Sequence, residues 1–252
     1  MAHYLITGTS SGIGAALCTR LIQTGHYVSG IARRKSRLGV SSRKLDFFRG
    51  YQSDVVDAEG LKKTIDMAIT DTGPIDVAIL NAGIYQPQDG TRIDPQIYAN
   101  HMNINYLGVV NALAAIVPNM VLARRGHIAI VSSVAGWRGL PKSAAYGPTK
   151  AALISLAESL YFDLEPKGVK LQIICPGFVE SEATAVNNFE MPDLISADIA
   201  AESIINGMKT DVFSIKFPKS FTRKIGFLRL LPDKLYFHLV GKRTGAFDHD
   251  SR

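Results

Sequence analysis

Three residues in the middle of the chain could pass a proton to or from an oxygen: Ser133, Tyr146 and Lys150. Tyr146 and Lys150 are four apart, so they share one face if the segment is helical. A phenol with its ordinary pKa of about 10 is a poor acid–base at neutral pH. A neighbouring ammonium stabilises the phenolate and brings the group toward use as a general acid–base. Ser133 follows an apolar run and can place a hydroxyl on the same substrate oxygen. A Tyr-x-x-x-Lys pair alone is common on surface helices. This one follows a strand-ending Ser-Ser pair and a loop holding Gly136 and Gly139, which a surface helix does not require.

A second signal lies at the start of the chain, in Thr7-Gly8-Thr9-Ser10-Ser11-Gly12-Ile13-Gly14. Glycines between a first strand and a first helix let the backbone turn tightly and approach a pyrophosphate, which then sits on the helix N-terminus. Gly8, Ser10, Ser11, Gly12, Ile13 and Gly14 are the candidate contacts. The spacing G-x-x-x-G-x-G meets the general dinucleotide fingerprint loosely, and it is the position between strand and helix that favours binding. About 20 residues further on, such a fold selects its cofactor, with an acid for the ribose hydroxyls. This chain has Ala32-Arg33-Arg34-Lys35 there instead. Arg33 and Arg34 suit a 2′-phosphate through charge-assisted bonds, so NADP(H) is the expected cofactor over a merely solvated basic loop.

These groups need a scaffold, and the chain alternates short apolar runs with longer helical patterns, the signature of βαβ units and a parallel sheet. Strands are predicted at 3–7, 27–32, 46–52, 75–81, 127–132, 170–175 and 212–217, and helices at 13–23, 58–70, 98–123, 145–165 and 197–208. The expected fold is α/β: a single Rossmann domain with a doubly wound parallel seven-stranded sheet and helices on both faces. The domain spans 1–217, and 218–252 forms a basic, aromatic C-terminal extension packed on it or on a partner subunit. With 252 residues, 46% of them hydrophobic, the chain can bury a substantial core. No apolar run reaches the roughly 18 residues of a transmembrane helix, and no signal peptide precedes the first strand. Cys18 and Cys175 read as small core residues in a reducing cytosol, hence a cytoplasmic protein. Neither Cys nor His has zinc spacing, so no metal is expected.

Taken in order and spacing, these motifs identify the chain as resembling the short-chain dehydrogenase/reductase family from Thr7 through about Ser181. Thr7–Gly14 resembles the family's cofactor loop, and Asp54 and Val55 its adenine contact. Asn81, Ala82 and Gly83 match the motif that steadies the sheet beside the cofactor. Asn105, followed by Gly108, resembles the structural and proton-relay asparagine. Ser133 stands thirteen residues before Tyr146, the family interval, which favours it over Ser132. Pro176 and Gly177 resemble the segment that packs on the nicotinamide, with Val179 and Ser181 near its carboxamide. The resemblance implies reversible hydride transfer between a carbonyl and an alcohol. Tyr146 is then the acid–base, Ser133 polarises the carbonyl, Lys150 holds the ribose and lowers the tyrosine pKa, and Asn105 fixes a water. The competing reading is a non-catalytic dinucleotide-binding sensor or scaffold, which has no need of the proton-transfer set.

Some features depart from that pattern. Pro148 between Tyr146 and Lys150 demands that the helix begin only just before it. Ser181 stands where threonine is more frequent. The C-terminus lacks the family's Gly-rich end, which favours a homodimer through the two long helices over a tetramer. Between Lys216 and Arg243, eight Lys and Arg face one acid, Asp233, while the whole chain carries only +6. Leucines and aromatics alternate with these cations. The stretch suits a wall beside the substrate pocket, a partner subunit or an anionic membrane, and packing on protein ranks first because Pro218 and Pro232 interrupt any long amphipathic helix. An apolar wall would favour a lipophilic substrate. Nucleic acid has only charge in its favour and is not expected. Trp137 and Arg138 either line the pocket or pack the loop, and 182–194 sits where a substrate lid would be.

Overall fold

Short runs rich in Val and Ile, too brief for helices, pair as seven parallel strands: β1 (His3–Thr7), β2 (Tyr27–Ala32), β3 (Phe48–Gln52), β4 (Val77–Leu80), β5 (Gly126–Val131), β6 (Val169–Pro176) and β7 (Ser214–Phe217). The computed structural model describes residues 1–34, 46–185 and 191–247. The sheet order is β3-β2-β1-β4-β5-β6-β7, in the expected doubly wound arrangement. Leu5 of β1 pairs with Ser29 of β2 on one side and Ala78 of β4 on the other. The order therefore reverses between β1 and β4, and their carboxyl ends open the crevice in which such sheets bind ligands. All four residues of β4 are buried, as expected of a central strand covered on both faces.

One face is covered by α1 (Gly12–Gln23) and α6 (Ala197–Met208), whose Leu17, Leu21, Ala200 and Ile204 pack with Ile6, Ile79 and Ile174. The other carries α2 (Ala58–Thr72), α4 (Gly108–Ala123) and α5 (Gly147–Leu164), with Leu61, Ile65, Ile116 and Leu153 against Leu5, Ile31 and Ile128. The helix expected at 98–123 starts earlier. Asp94 caps it by accepting the Gln96 N–H at 2.9 Å, and Pro95 occupies its first turn. It runs as α3 (Pro95–Met102), a π-turn (Asn103–Leu107) and then α4.

This continuous 29-residue helix is, contrary to the sequence expectation, long and apolar enough to cross a membrane by length and composition. Its Val109, Ala112, Leu113, Ile116 and Met120 are buried against the sheet, while Leu107 and Leu122 of the same helix stay exposed. The helix expected at 145–165 begins at Gly147, so Pro148 falls in the first turn and breaks no internal hydrogen bond. Strands β3, β4 and β7 are each shorter than expected by two or three residues. Beyond β7 the extension forms α7 (Lys219–Leu228) and α8 (Asp233–Thr244), each starting directly after a proline, Pro218 or Pro232.

Candidate active site

The glycine turn brings two stretches of backbone too close for side chains. A Cβ on Gly14 would lie 2.1 Å from the Gly8 carbonyl oxygen, and one on Gly8, at φ +77°, 2.8 Å from Ala82 Cα. Asn81 clamps the turn from β4, its Nδ2 donating to the Thr7 and Gly8 carbonyls at 3.1 Å. Thr7 Oγ1 in return accepts the Asn81 and Ala82 N–H groups at 3.1 Å. Ser11, at the N-cap of α1, makes no side-chain cap. The first N–H groups of this helix are thus left to an anion, and a pyrophosphate fits the cradle.

The end of β2 delivers Arg33 and Arg34 beside this cradle. Arg34 Nη2 lies 3.3 Å from Ser10 Oγ, 3.5 Å from Ser11 Oγ and 2.6 Å from Glu182 Oε2. Arg33 faces Asp54 at 3.9 Å, while Lys35 lies outside the described residues. Asp54 also accepts the Val56 N–H at 3.2 Å. Val55 is buried next to Gly108, and its carbonyl accepts from Asn111 Nδ2 at 2.9 Å. A guanidinium with a carboxylate for a neighbour is a ready receptor for a phosphate that displaces it.

The proton-transfer residues converge from β5 and α5. Ser132 turns its hydroxyl to the Lys150 carbonyl at 2.8 Å, away from the crevice, whereas the Ser133 hydroxyl, which accepts the Ala135 N–H at 3.1 Å, stands beside Tyr146 and favours its phenolate. Burial pushes the Tyr146 phenol up to about 12, opposed by the Ser133 hydroxyl and reinforced by Tyr85 and Cys175. Lys150 is 3% exposed, and burial brings its ammonium down to about 8. Its Nζ donates to the Val131 carbonyl at 2.9 Å and lies 5.5 Å from the centre of the Tyr146 ring. Lys150 thus turns its ammonium to a backbone carbonyl here, and burial is the largest influence on the Tyr146 phenol.

Asn105 sits fully buried in the π-turn, a backbone irregularity common at functional sites. Its Oδ1 accepts the Ile84 N–H at 2.7 Å, and its Nδ2 donates to the Ile84 carbonyl at 3.0 Å and Thr149 Oγ1 at 3.1 Å. The carboxamide thus ties the loop after β4 to α5. Gly83 keeps space between Asn105 and Lys150, since a Cβ there would lie 3.2 Å from Asn105 Oδ1 and 3.5 Å from Lys150 Nζ.

Pro176 ends β6, and the Gly177 N–H donates to the Phe217 carbonyl at 2.8 Å. Val179 is buried and bridges to Ile195. Ser181 exchanges hydrogen bonds with Thr184 and its Cβ stands 3.3 Å from where a Gly12 Cβ would be, so this segment lies over the glycine turn. Of the segment 182–194 read as a lid, 186–190 lie outside the described residues.

Sequence reasoning missed Tyr85 and Glu182. The Tyr85 ring stands 5.1 Å from Tyr146 in a T-shaped contact, and it directly follows the Asn81-Ala82-Gly83-Ile84 run, a position that would have drawn notice. Glu182 is 148 residues from Arg34, and nothing in the sequence joins them. Trp137 packs against the core. Arg138 holds the extension, donating to the Arg229 and Leu231 carbonyls at 3.1 and 2.7 Å and pairing with Asp233. Both residues pack the loop.

The sequence pattern of the short chain dehydrogenase family matches residues 2–191. An uncharacterized oxidoreductase of Myxococcus xanthus is 33% identical over 242 residues, 92% of this chain and 93% of that protein. The 3-oxoacyl-[acyl-carrier-protein] reductase of Staphylococcus aureus is 30% identical over 214 residues, 82% of this chain and 86% of the other. Among solved structures, a short chain dehydrogenase from Burkholderia cenocepacia in complex with NADP superimposes with a TM-score of 0.80 at 21% identity, covering 95% of this chain and 97% of that one.

Proposed function

Because the chain belongs to the short chain dehydrogenase family of oxidoreductases, we propose that it reduces a carbonyl to an alcohol, reversibly, with NADPH as hydride donor and Tyr146 as proton donor. The observation that carries this reading is the convergence of Ser133 and Tyr146 beside a backbone cradle fit for a dinucleotide. When bound, the cofactor supplies the hydride, and the chain supplies position and charge. The first turn of α1 holds the pyrophosphate, and Arg34 with Ser10 and Ser11 takes the 2′-phosphate once Glu182 yields.

Ser133 and Tyr146 donate two hydrogen bonds to one substrate oxygen and so stabilise the charge that develops there. With its pKa near 12 the phenol holds its proton at neutral pH and releases it to the forming alkoxide, a stronger base. Burial lowers the Lys150 pKa to about 8, so its ammonium is a ready proton source for the site. Lys150 also offers its ammonium to ribose hydroxyls, and Asn105 fixes the loop on which this depends.

Tyr85 beside Tyr146, and Phe178 against Phe221 at 5.4 Å, support an apolar carbonyl substrate. Exposed Leu122 on α4 and Phe162 on α5 support a homodimer through those helices. Two buried, free cysteines support a reducing, cytoplasmic setting. The reading is tested by following NADPH oxidation over a panel of aliphatic ketones, aldehydes and 3-oxoacyl thioesters, beside an NADH control. Turnover of at least one class with NADPH preferred is expected. A properly folded, NADPH-binding protein that turns over none of them would move the reading to a sensor.

A further inference from the structure

The family match ends at residue 191, so the α7–α8 hairpin lies outside it. The hairpin is attached along one side only. Phe221, Tyr236 and Val240 are buried, Phe221 lies against Gly177, and Tyr236 Oη donates to the Gly139 carbonyl at 2.7 Å. Its other side mixes two kinds of side chain. The eight cations from Lys216 to Arg243 are exposed, Lys216 at the end of β7 and seven on the hairpin, with Lys216 and Arg229 set over the Trp137 ring at 5.5 and 5.8 Å. Also exposed are large apolar groups at and beside the turn between the helices: Phe227 (66%), Leu230 (75%), Leu235 (45%) and Phe237 (56%). A cluster of this kind marks an interaction surface.

We propose that this hairpin is a docking surface for an anionic lipid bilayer, with the turn 227–231 as the part that enters the lipid. Three observations favour a bilayer. The lone acid of the stretch, Asp233, is paired with Arg138, so the field around the turn is positive. Cations ringing an apolar tip match anionic headgroups above acyl chains. The backbone at the turn is largely satisfied from within. Arg138 takes the Arg229 and Leu231 carbonyls, and the N–H groups of Arg229, Leu230 and Leu231 donate to Ile225, Phe227 and Leu228. A segment entering hydrocarbon needs this, because no water remains there to satisfy it. A second copy of the chain fits the surface poorly, since pairing would bring two sets of like charges together. Docking through the turn would bring the loop after Ser133 close to the bilayer, through the Tyr236–Gly139 contact.

The test is sedimentation of the full-length protein with vesicles of phosphatidylcholine alone, or with about one third phosphatidylglycerol, at low and high salt. The protein should pellet with the anionic vesicles at least tenfold more strongly than with the neutral ones, and salt should weaken the binding. Phe227→Ser with Leu230→Ser, which leaves the charge unchanged, should weaken binding about tenfold or more. Lys219, Arg223, Lys224 and Lys234 changed together to Gln should remove it. Unchanged melting temperatures certify that both variants fold. Failure to pellet with anionic vesicles overturns the proposal, and so does full binding by the Ser pair, which would be charge attraction alone. A Ser pair that turns a dimer into a monomer by lipid-free ultracentrifugation overturns it in favour of a subunit contact.

Discussion

Tyr146 and Lys150 titrate in an order that sets the pH behaviour of the site. With the phenol near 12 and the ammonium near 8, the group lost first as pH rises is Lys150. Carbonyl reduction should be flat below pH 8 and fall above it, and Lys150→Met should lower kcat and abolish that limb. Stability carries the same mark. The folded pKa of Lys150 is lowered from an unfolded value of about 10.4, so the unfolded chain binds more protons between pH 8 and 10. The burial penalty is complete below pH 8 and fades as pH rises. Urea unfolding should therefore show wild type gaining stability over that window, roughly 1–3 kcal/mol, relative to Lys150→Met. Beside the cradle, Arg34→Ala should weaken NADPH about tenfold or more and NADH by at most two- to threefold. Glu182→Gln should tighten NADPH a few-fold, because Arg34 no longer leaves a carboxylate 2.6 Å away. Titrations in which Arg34→Ala weakens both cofactors alike would remove the 2′-phosphate from this position.

The elements that place these residues were readable to different degrees. A run such as Val77–Leu80 declares itself by continuous apolar character between turn residues, and α6 by its periodicity. The start of α3 was legible too, in Asp94 followed by Pro95, a cap and first-turn pair that periodicity alone overlooks. The π-turn was not legible. It shifts backbone hydrogen bonds by one residue and leaves no mark in composition, yet it carries Asn105 to Ile84 and Thr149. Asn105→Ala strands the half-buried Ile84 N–H and carbonyl and should cost about 1–2 kcal/mol by chemical unfolding, lowering turnover as the loop loosens. Gly14→Ala puts a methyl against the Gly8 carbonyl and should abolish NADPH binding measured by calorimetry, with the fold retained at lower melting temperature.

Across the whole molecule, what periodicity and motif order could supply was the α/β layering and a candidate set of catalytic residues that the fold brings together. Long-range pairings were beyond them: Glu182 with Arg34, and Arg138 with Asp233, join residues whose encounter depends on how loops fold over the crevice. The extension was legible as basic and apolar, while its division into two helices held by Arg138 and Tyr236 appears only in three dimensions. For the proposed homodimer, Phe162→Glu on α5 should shift the sedimentation mass to that of one chain. The central claim is that Tyr146 delivers the proton. With the best carbonyl substrate from the NADPH panel in hand, Tyr146→Phe is measured for both cofactor affinity and turnover. The account predicts NADPH bound within a few-fold of wild type and kcat lower by about 10²–10⁴. A Phe variant that keeps most of its turnover would contradict it.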